Sequence, residues 1–160
     1  MSRSLAAKSL FATVLLSMAG ALLLPTPALA GGPYSFYALT PCRVVDTRFG
    51  YGGALTPKST RLFTVRGVCQ VPTDAVAAAL NVTVTGASLG GYLTVFPGDQ
   101  GTLPIVSTIN WLAGEMGLAN GAVVPLAAIG VNTNDLSIYL GTNDTSGSVD
   151  VVLDVNGYYK

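Results

Sequence analysis

The chain of 160 residues contains no histidine, two cysteines, one tryptophan and few charged side chains, which make up 10% of the total. Without histidine, the Ser–His–Asp and Cys–His nucleophile systems are excluded, as are most zinc and copper sites. The spacing of the carboxylates Asp46, Glu115, Asp150 and Asp154 singles out no pair for glycoside hydrolysis. We therefore expect a protein that is not an enzyme and that holds no metal or other cofactor.

The first 30 residues have the organisation of a secretory signal peptide. Arg3 and Lys8 give a positively charged start, an apolar run follows at residues 10–24, and Ala28-Leu29-Ala30 fits the small-x-small cleavage pattern. A retained anchor is the alternative, but the run is shorter than the ~20 residues that span a bilayer and two prolines end it. We predict cleavage after Ala30, no membrane span in the remaining chain, and a secreted or surface-associated protein.

Residues 31–160 are numerous enough for one domain with a sizeable core. They carry six basic and eight acidic side chains, and no basic residue lies between Arg66 and Lys160. Because no basic stripe is available to a phosphate backbone, we expect no nucleic-acid partner.

Cys42 and Cys69 are the only cysteines of a chain that we expect to be exported. A disulfide between them is therefore favoured over two free thiols. In the chain-entropy model, closing a loop of this size stabilises the fold by ~3–4 kcal/mol.

Alternation of apolar and polar residues predicts β-strands along most of the chain. The clearest example is residues 76–85, whose apolar face comprises Val76, Ala78, Leu80, Val82 and Val84. The same period recurs at residues 136–140 and 149–155, whereas residues 114–120 are interpreted as a loop. About nine to ten short strands with turns between them predict an all-β fold, a single antiparallel β-sandwich or barrel-like domain.

Residues 41–48 concentrate the unusual chemistry of the chain, since they hold a cysteine, an aspartate and two arginines. In an extended segment, Arg43 shares a face with Val45 and Thr47, and Asp46 lies on the opposite face. The segment is either a fixed ion-pair corner or a ligand-recognition patch.

The ion-pair corner is the favoured interpretation, because paired charges near a core usually specify geometry. We predict that Asp46 pairs with Arg43, Arg48 or Arg66, so that these four residues form a structural cluster at one end of the sheet.

Aromatic side chains are the other candidates for ligand contact, because an exposed ring can stack on a sugar. The aromatic residues considered are Tyr34, Tyr37, Tyr51, Tyr92, Trp111, Tyr139, Tyr158 and Tyr159. Tyr51 and Trp111 are the ligand-contact candidates of this set, although filling of the core or rim is the favoured interpretation. The oxygen-rich loops 132–135 and 142–147 lack a calcium-loop register, so Asx turns are favoured over calcium sites.

Several motifs in combination resemble a widespread family of secreted bacterial β modules. The motifs are TPCRVVDTR (residues 40–48), GVCQVP (67–72), LNVTVT (80–85), LTVFP (93–97) and DVNGYY (154–159). Members occur alone, in tandem or appended to cell-wall hydrolases and other exported enzymes, and Gln70 stands where the family usually has glycine. The resemblance covers essentially all of residues 31–160, and it implies an extracellular module without catalytic residues.

These observations together predict a non-catalytic structural or adhesive module at the cell surface. Strand-like segments at residues 34–39 and 149–159 suggest self-assembly by exchange of a terminal strand with a second copy, into a homo-oligomer or filament. The alternative is a carbohydrate-binding, lectin-like module that recognises cell-wall or environmental glycans.

Overall fold

The computed structural model describes residues 32–130 and 134–160, and the predicted signal peptide, residues 1–30, lies outside them. The described residues form one short 3-10 helix, Thr47–Phe49, and eight β-strands. The strands are β1 (Phe36–Asp46), β2 (Thr60–Phe63), β3 (Ala77–Thr85), β4 (Gly91–Pro97), β5 (Ile109–Trp111), β6 (Gly117–Pro125), β7 (Leu136–Gly141) and β8 (Asp150–Tyr159). One compact unit contains Gly32–Lys160. Within the described part of the chain, no helix is long and apolar enough to cross a membrane.

The strands form two four-stranded antiparallel sheets. Sheet I has the order β1-β8-β3-β6, and sheet II has the order β2-β7-β4-β5. Apolar residues from both sheets share one buried cluster, so the sheets pack face to face. The predicted all-β, antiparallel sandwich is confirmed.

Strict alternation places the core residues of the central strands. Along β3 the buried positions are every second residue, which are Ala78, Leu80, Val82 and Val84. Leu136, Ile138 and Leu140 of β7 and Val151, Leu153 and Val155 of β8 likewise belong to the core cluster, although Ser137 and Val152 between them are also buried. The faces predicted from the sequence for these strands are therefore correct.

The first strand is longer than predicted. Residues 34–39 and 41–48 appear as two segments in the sequence because Pro41 separates them, yet β1 runs without interruption from Phe36 to Asp46. Proline is tolerated here because β1 is an edge strand and its register to β8 shifts between Ala38 and Cys42.

The predicted loop at residues 114–120 is wrong at its second half, where residues 117–120 belong to β6. Glycine, alanine and asparagine dominate this segment and have low intrinsic strand propensity. Pairing with β3 along the whole of β6, from Gly117 opposite Thr85 to Pro125 opposite Ala77, overrides that preference.

A β-bulge in β1 changes the predicted faces of the charged segment. Arg43 lies opposite Asp154, but Val45 lies opposite Leu153, so one extra residue is accommodated between them. As a consequence Val44 and Val45 are both buried, and Arg43 comes within reach of Asp46. The strict alternation predicted for residues 43–48 is therefore wrong.

Candidate functional site

Asp46 lies at the end of β1 and is 5% exposed. Its Oδ2 accepts hydrogen bonds from Nη2 of Arg48 at 2.6 Å and from Nη1 of Arg43 at 3.1 Å. Its Oδ1 accepts from Nε of Arg48 at 2.8 Å and from the Arg48 backbone N–H at 3.2 Å, which caps the 3-10 helix. The carboxylate therefore receives the fork of one guanidinium and a single bond from another.

These contacts set the protonation state of Asp46. The side-chain hydrogen bond from Arg48 is the main cause that lowers the pKa of Asp46 to about 2, against the opposing effect of burial. An aspartate with this pKa stays ionised at neutral pH and has no proton to donate as a general acid.

Two further contacts join the cluster to β8. The Thr47 hydroxyl donates to Oδ1 of Asp150 at 2.7 Å and accepts from the Val151 N–H at 2.9 Å. Arg43 also binds Asp154, with Nε 2.9 Å from Oδ1 and Nη2 3.3 Å from Oδ2. Each of these charges already has a partner, so the arrangement fixes the end of β1 against β8.

Arg66, which the sequence placed in the same cluster, binds Asp135 instead, and that part of the prediction is wrong. Its Nη1 lies 2.5 Å from Oδ1 of Asp135, and the two side chains are 10% and 4% exposed. Nε and Nη2 donate to the carbonyl oxygens of Ala75 and Ala127 at 2.8 and 2.7 Å.

The second oxygen of Asp135 is also occupied. Oδ2 accepts from the backbone N–H groups of Val65 and Arg66, both at 2.7 Å. The sequence analysis noted Asp135 only as part of an oxygen-rich loop, and the local sequence contains no sign of a partner 69 positions away. Its carboxylate is an acceptor for the protein's own donors.

The predicted disulfide between Cys42 and Cys69 is confirmed, and it joins Cα atoms 5.8 Å apart. It ties β1 to a turn in which Cys69 and Gln70 both have positive φ, 53° and 66°. The left-handed region favours glycine, so the glycine expected at position 70 from the family resemblance suits this conformation better than glutamine.

The two candidate ligand-contact aromatics have different environments. Trp111 is 6% exposed, and its indole N–H donates to the Leu89 carbonyl oxygen at 2.8 Å. Its ring therefore belongs to the core, and the hypothesis that it stacks on a ligand is wrong. Tyr51 is 56% exposed beside Arg61, so its contact with a ligand stays a prediction.

Three of the four sheet edges carry features that obstruct pairing with another chain. β1 contains Pro41, two register shifts and the disulfide. β2 has only four residues, and its Arg61 binds carbonyl oxygens of the adjacent loop. β5 has three residues. Short length, proline, bulges and charge are the usual protections of edge strands.

The fourth edge, β6, lacks these protections except for one proline at its last residue. It runs for nine residues in unbroken register with β3, contains no charged residue, and has its only proline at the end. Its side chains are mostly exposed, including Leu118 at 37% and Val123 at 59%. Among residues 32–130 and 134–160, no backbone hydrogen bond is found on the side of β6 that faces away from β3.

This edge is not apparent from the sequence, because the composition of residues 117–120 is typical of a loop. The alternation of Leu118, Asn120, Ala122 and Val124 was the available indication of a longer strand.

No protein-family model and no curated protein matches the chain, so the family resemblance stays an expectation.

Proposed function

We propose that this protein is a non-catalytic, extracellular structural or adhesive module that self-associates through the edge of β6. The observation that carries the proposal is the contrast between the four sheet edges. Three are short, bulged, charged or covalently tied, whereas β6 presents a long, uncharged and unpaired backbone edge. An edge of this kind is a template for a further strand.

A second copy of the chain is the partner that fits this edge. Antiparallel pairing of two β6 strands about Gly121 would place Leu118 opposite Val124 and Ala119 opposite Val123. Because β6 has no charge, this isologous pairing brings no like charges together. Since the other edges are protected, we expect a closed dimer with a continuous sheet.

Addition at β6 is favoured over exchange of the terminal strand β1. Releasing β1 would expose Val44 and Val45, separate Asp46 from its arginines and strain the Cys42–Cys69 bond. Addition to β6 breaks no native pair. The self-association expected from the sequence is thus retained with a different strand as the contact.

An extracellular location is supported by two observations of different kinds. The sequence begins like a secretory signal peptide, and both cysteines form a disulfide. Disulfides persist mainly in oxidising compartments. The charged cluster at Asp46 contributes stability in this proposal and is not a reaction centre.

The proposal is tested by sedimentation velocity of residues 31–160 over a wide concentration range. The double variant Ala119→Lys/Val123→Lys places two charges on exposed positions of β6, where they disturb no core contact. We expect wild type to form dimers and the double variant to remain monomeric. Leu62→Lys is the matched control, because Leu62 is an exposed apolar residue on the short edge strand β2.

A wild-type protein that stays monomeric at every concentration would overturn the proposal. So would a double variant that associates as wild type does. Filaments in negative-stain micrographs of both proteins would instead identify another contact, since β6–β6 pairing closes after two copies.

A further inference from the structure

Tyr92 of β4 and Tyr139 of β7 form an aromatic pair on the outer face of sheet II. Their ring centroids lie 6.3 Å apart, and the ring planes are inclined at 57°. The rings border an open groove of about 470 Å³. Both tyrosine side chains are half-buried, so part of each ring is accessible to a ligand.

The Tyr92 ring occupies space that is open because position 141 is a glycine. Gly141 lies directly opposite Tyr92 in the β4–β7 register, and a Cβ at Gly141 would overlap the tyrosine ring. A Cβ at Gly91 would lie 2.5 Å from the Gly141 carbonyl oxygen. The Tyr92 ring therefore lies over Gly141 of the neighbouring strand, where a side chain would displace it.

The rim of the groove supplies polar groups and only one charge. Asn110 borders it from β5, and Asn143 and Asp144 border it from the loop after β7. That loop is held by the Thr142 hydroxyl, which donates to the Gly90 carbonyl oxygen at 2.7 Å and accepts from the Asp144 N–H at 3.1 Å. No basic residue lines the groove, which makes it unsuited to anionic ligands.

A second depression of about 300 Å³ lies on the other side of Tyr92. It is bordered by Pro104, Ile105, Val106 and Asn110, and Ile105 is fully exposed. Tyr92 and Asn110 line both depressions, so the two depressions adjoin and form one extended surface.

We infer that this surface binds a neutral oligosaccharide. A pyranose ring has an apolar face that packs on an aromatic ring, and its hydroxyl groups pair with amides, carboxylates and phenol groups. Tyr92 and Tyr139 supply the first kind of contact, and Asn110, Asn143 and Asp144 supply the second. The site names a ligand class for the adhesive part of the proposed function, but it lies on sheet II and none of its lining residues belongs to β6.

Isothermal titration calorimetry measures binding without a label, and it is preferred because the ring of the only tryptophan, Trp111, lies in the core. Residues 31–160 are titrated with N-acetylchitohexaose, cellohexaose and maltohexaose, and with choline chloride and polygalacturonate as cationic and anionic comparisons. We expect saturable binding of at least one neutral hexasaccharide. Tyr92→Ala and Tyr139→Ala should each weaken it by about tenfold or more, which corresponds to ~1.4 kcal/mol.

Two further variants separate binding from folding. Asp144→Ala changes an exposed loop side chain and should weaken binding while the melting temperature stays the same. Tyr34→Ala removes an exposed tyrosine that does not border the groove and should bind as wild type does.

Binding of none of the three neutral saccharides would overturn the inference. So would binding of choline or polygalacturonate alone, or saccharide binding that all the groove variants retain. The dimer-disrupting variant Ala119→Lys/Val123→Lys should bind saccharide normally, so failure of the β6 proposal and failure of this one are distinguishable.

Discussion

The carboxylate of Asp46 accepts four hydrogen bonds, all of them from Arg43 or Arg48. These donors favour the charged form, so the pKa falls from its ordinary value of 3.8 to about 2. A carboxylate whose pKa is depressed by folding contributes stability above its unfolded pKa. That contribution is lost as the pH falls through the folded pKa.

Asp46→Asn should therefore lower the melting temperature at pH 7, because the amide cannot accept the guanidinium fork of Arg48. The wild-type protein should lose stability between about pH 4 and pH 2, where Asp46 takes up a proton. In the variant this part of the pH dependence should be flatter. Thermal unfolding followed by circular dichroism across pH 2–7 measures both effects.

Asp74→Asn is the matched control, because the Asp74 side chain is 61% exposed and its contact with Lys160 is long, at 3.5 Å. Exposed pairs of this kind contribute little. If the Asp46 and Asp74 variants show the same pH dependence as wild type, the cluster at Asp46 does not stabilise the fold.

At the scale of elements, β1 consists of an exposed first part and a buried second part. Its first residues are exposed and contact β8 through the ring pairs Phe36–Tyr159 and Tyr37–Tyr158. Its second half holds Val44 and Val45 in the core and is tied by the disulfide. The part of β1 after Pro41 therefore carries most of its attachment.

Replacement of both cysteines by serine should lower the free energy of unfolding by ~3–4 kcal/mol, because the unfolded chain regains the entropy of a loop whose ends are 27 positions apart. Urea denaturation of both proteins measures the difference. Reduction of the wild type with dithiothreitol should reproduce the shift, whereas the double serine variant should not respond to the reductant. Equal midpoints in the oxidised wild type and the variant would contradict the prediction.

Local alternation determines which faces of β3, β7 and β8 are buried, and for this reason the sequence predicts them correctly. The bulge at Val44 and the length of β6 depend on partners in distant parts of the chain. Arg43 pairs with Asp154 and Gly117 pairs with Thr85, and neither partner is visible in the local pattern. The sheet edges, on which the proposed function depends, could not be predicted for this reason.

The same distinction applies to the charged residues. Asp46 lies within three positions of Arg43 and Arg48, so nearness in the sequence was a sufficient guide to both pairs. Arg66 was assigned to the wrong carboxylate because its partner, Asp135, is 69 positions away. Trp111 was correctly expected to be more suited to the core than to a ligand, since a large ring gains most from burial.

At the scale of the whole molecule, Arg66 links segments from both sheets. Arg66 follows β2, and its partner Asp135 precedes β7, so both residues of this ion pair lie next to strands of sheet II. Its other donors bind Ala75, which precedes β3, and Ala127, which follows β6, and these strands belong to sheet I. One guanidinium therefore holds four chain segments together at one end of the sandwich.

Arg66→Met keeps much of the buried volume of the side chain but leaves the carboxylate of Asp135 without its counter-charge. Removing one partner from a buried ion pair typically costs ~3–5 kcal/mol, and the loss should appear as a large fall in the urea midpoint. Lys160→Met is the matched control, since it removes the cation of an exposed pair with Asp74, and its effect should be clearly smaller. Arg66→Lys should lie between the two, because an ammonium restores the charge but cannot reach all three acceptors with the geometry of a guanidinium. Equal midpoints for Arg66→Met and Lys160→Met would show that the link between the sheets contributes no more than a surface pair, and packing alone would then hold this end of the sandwich closed.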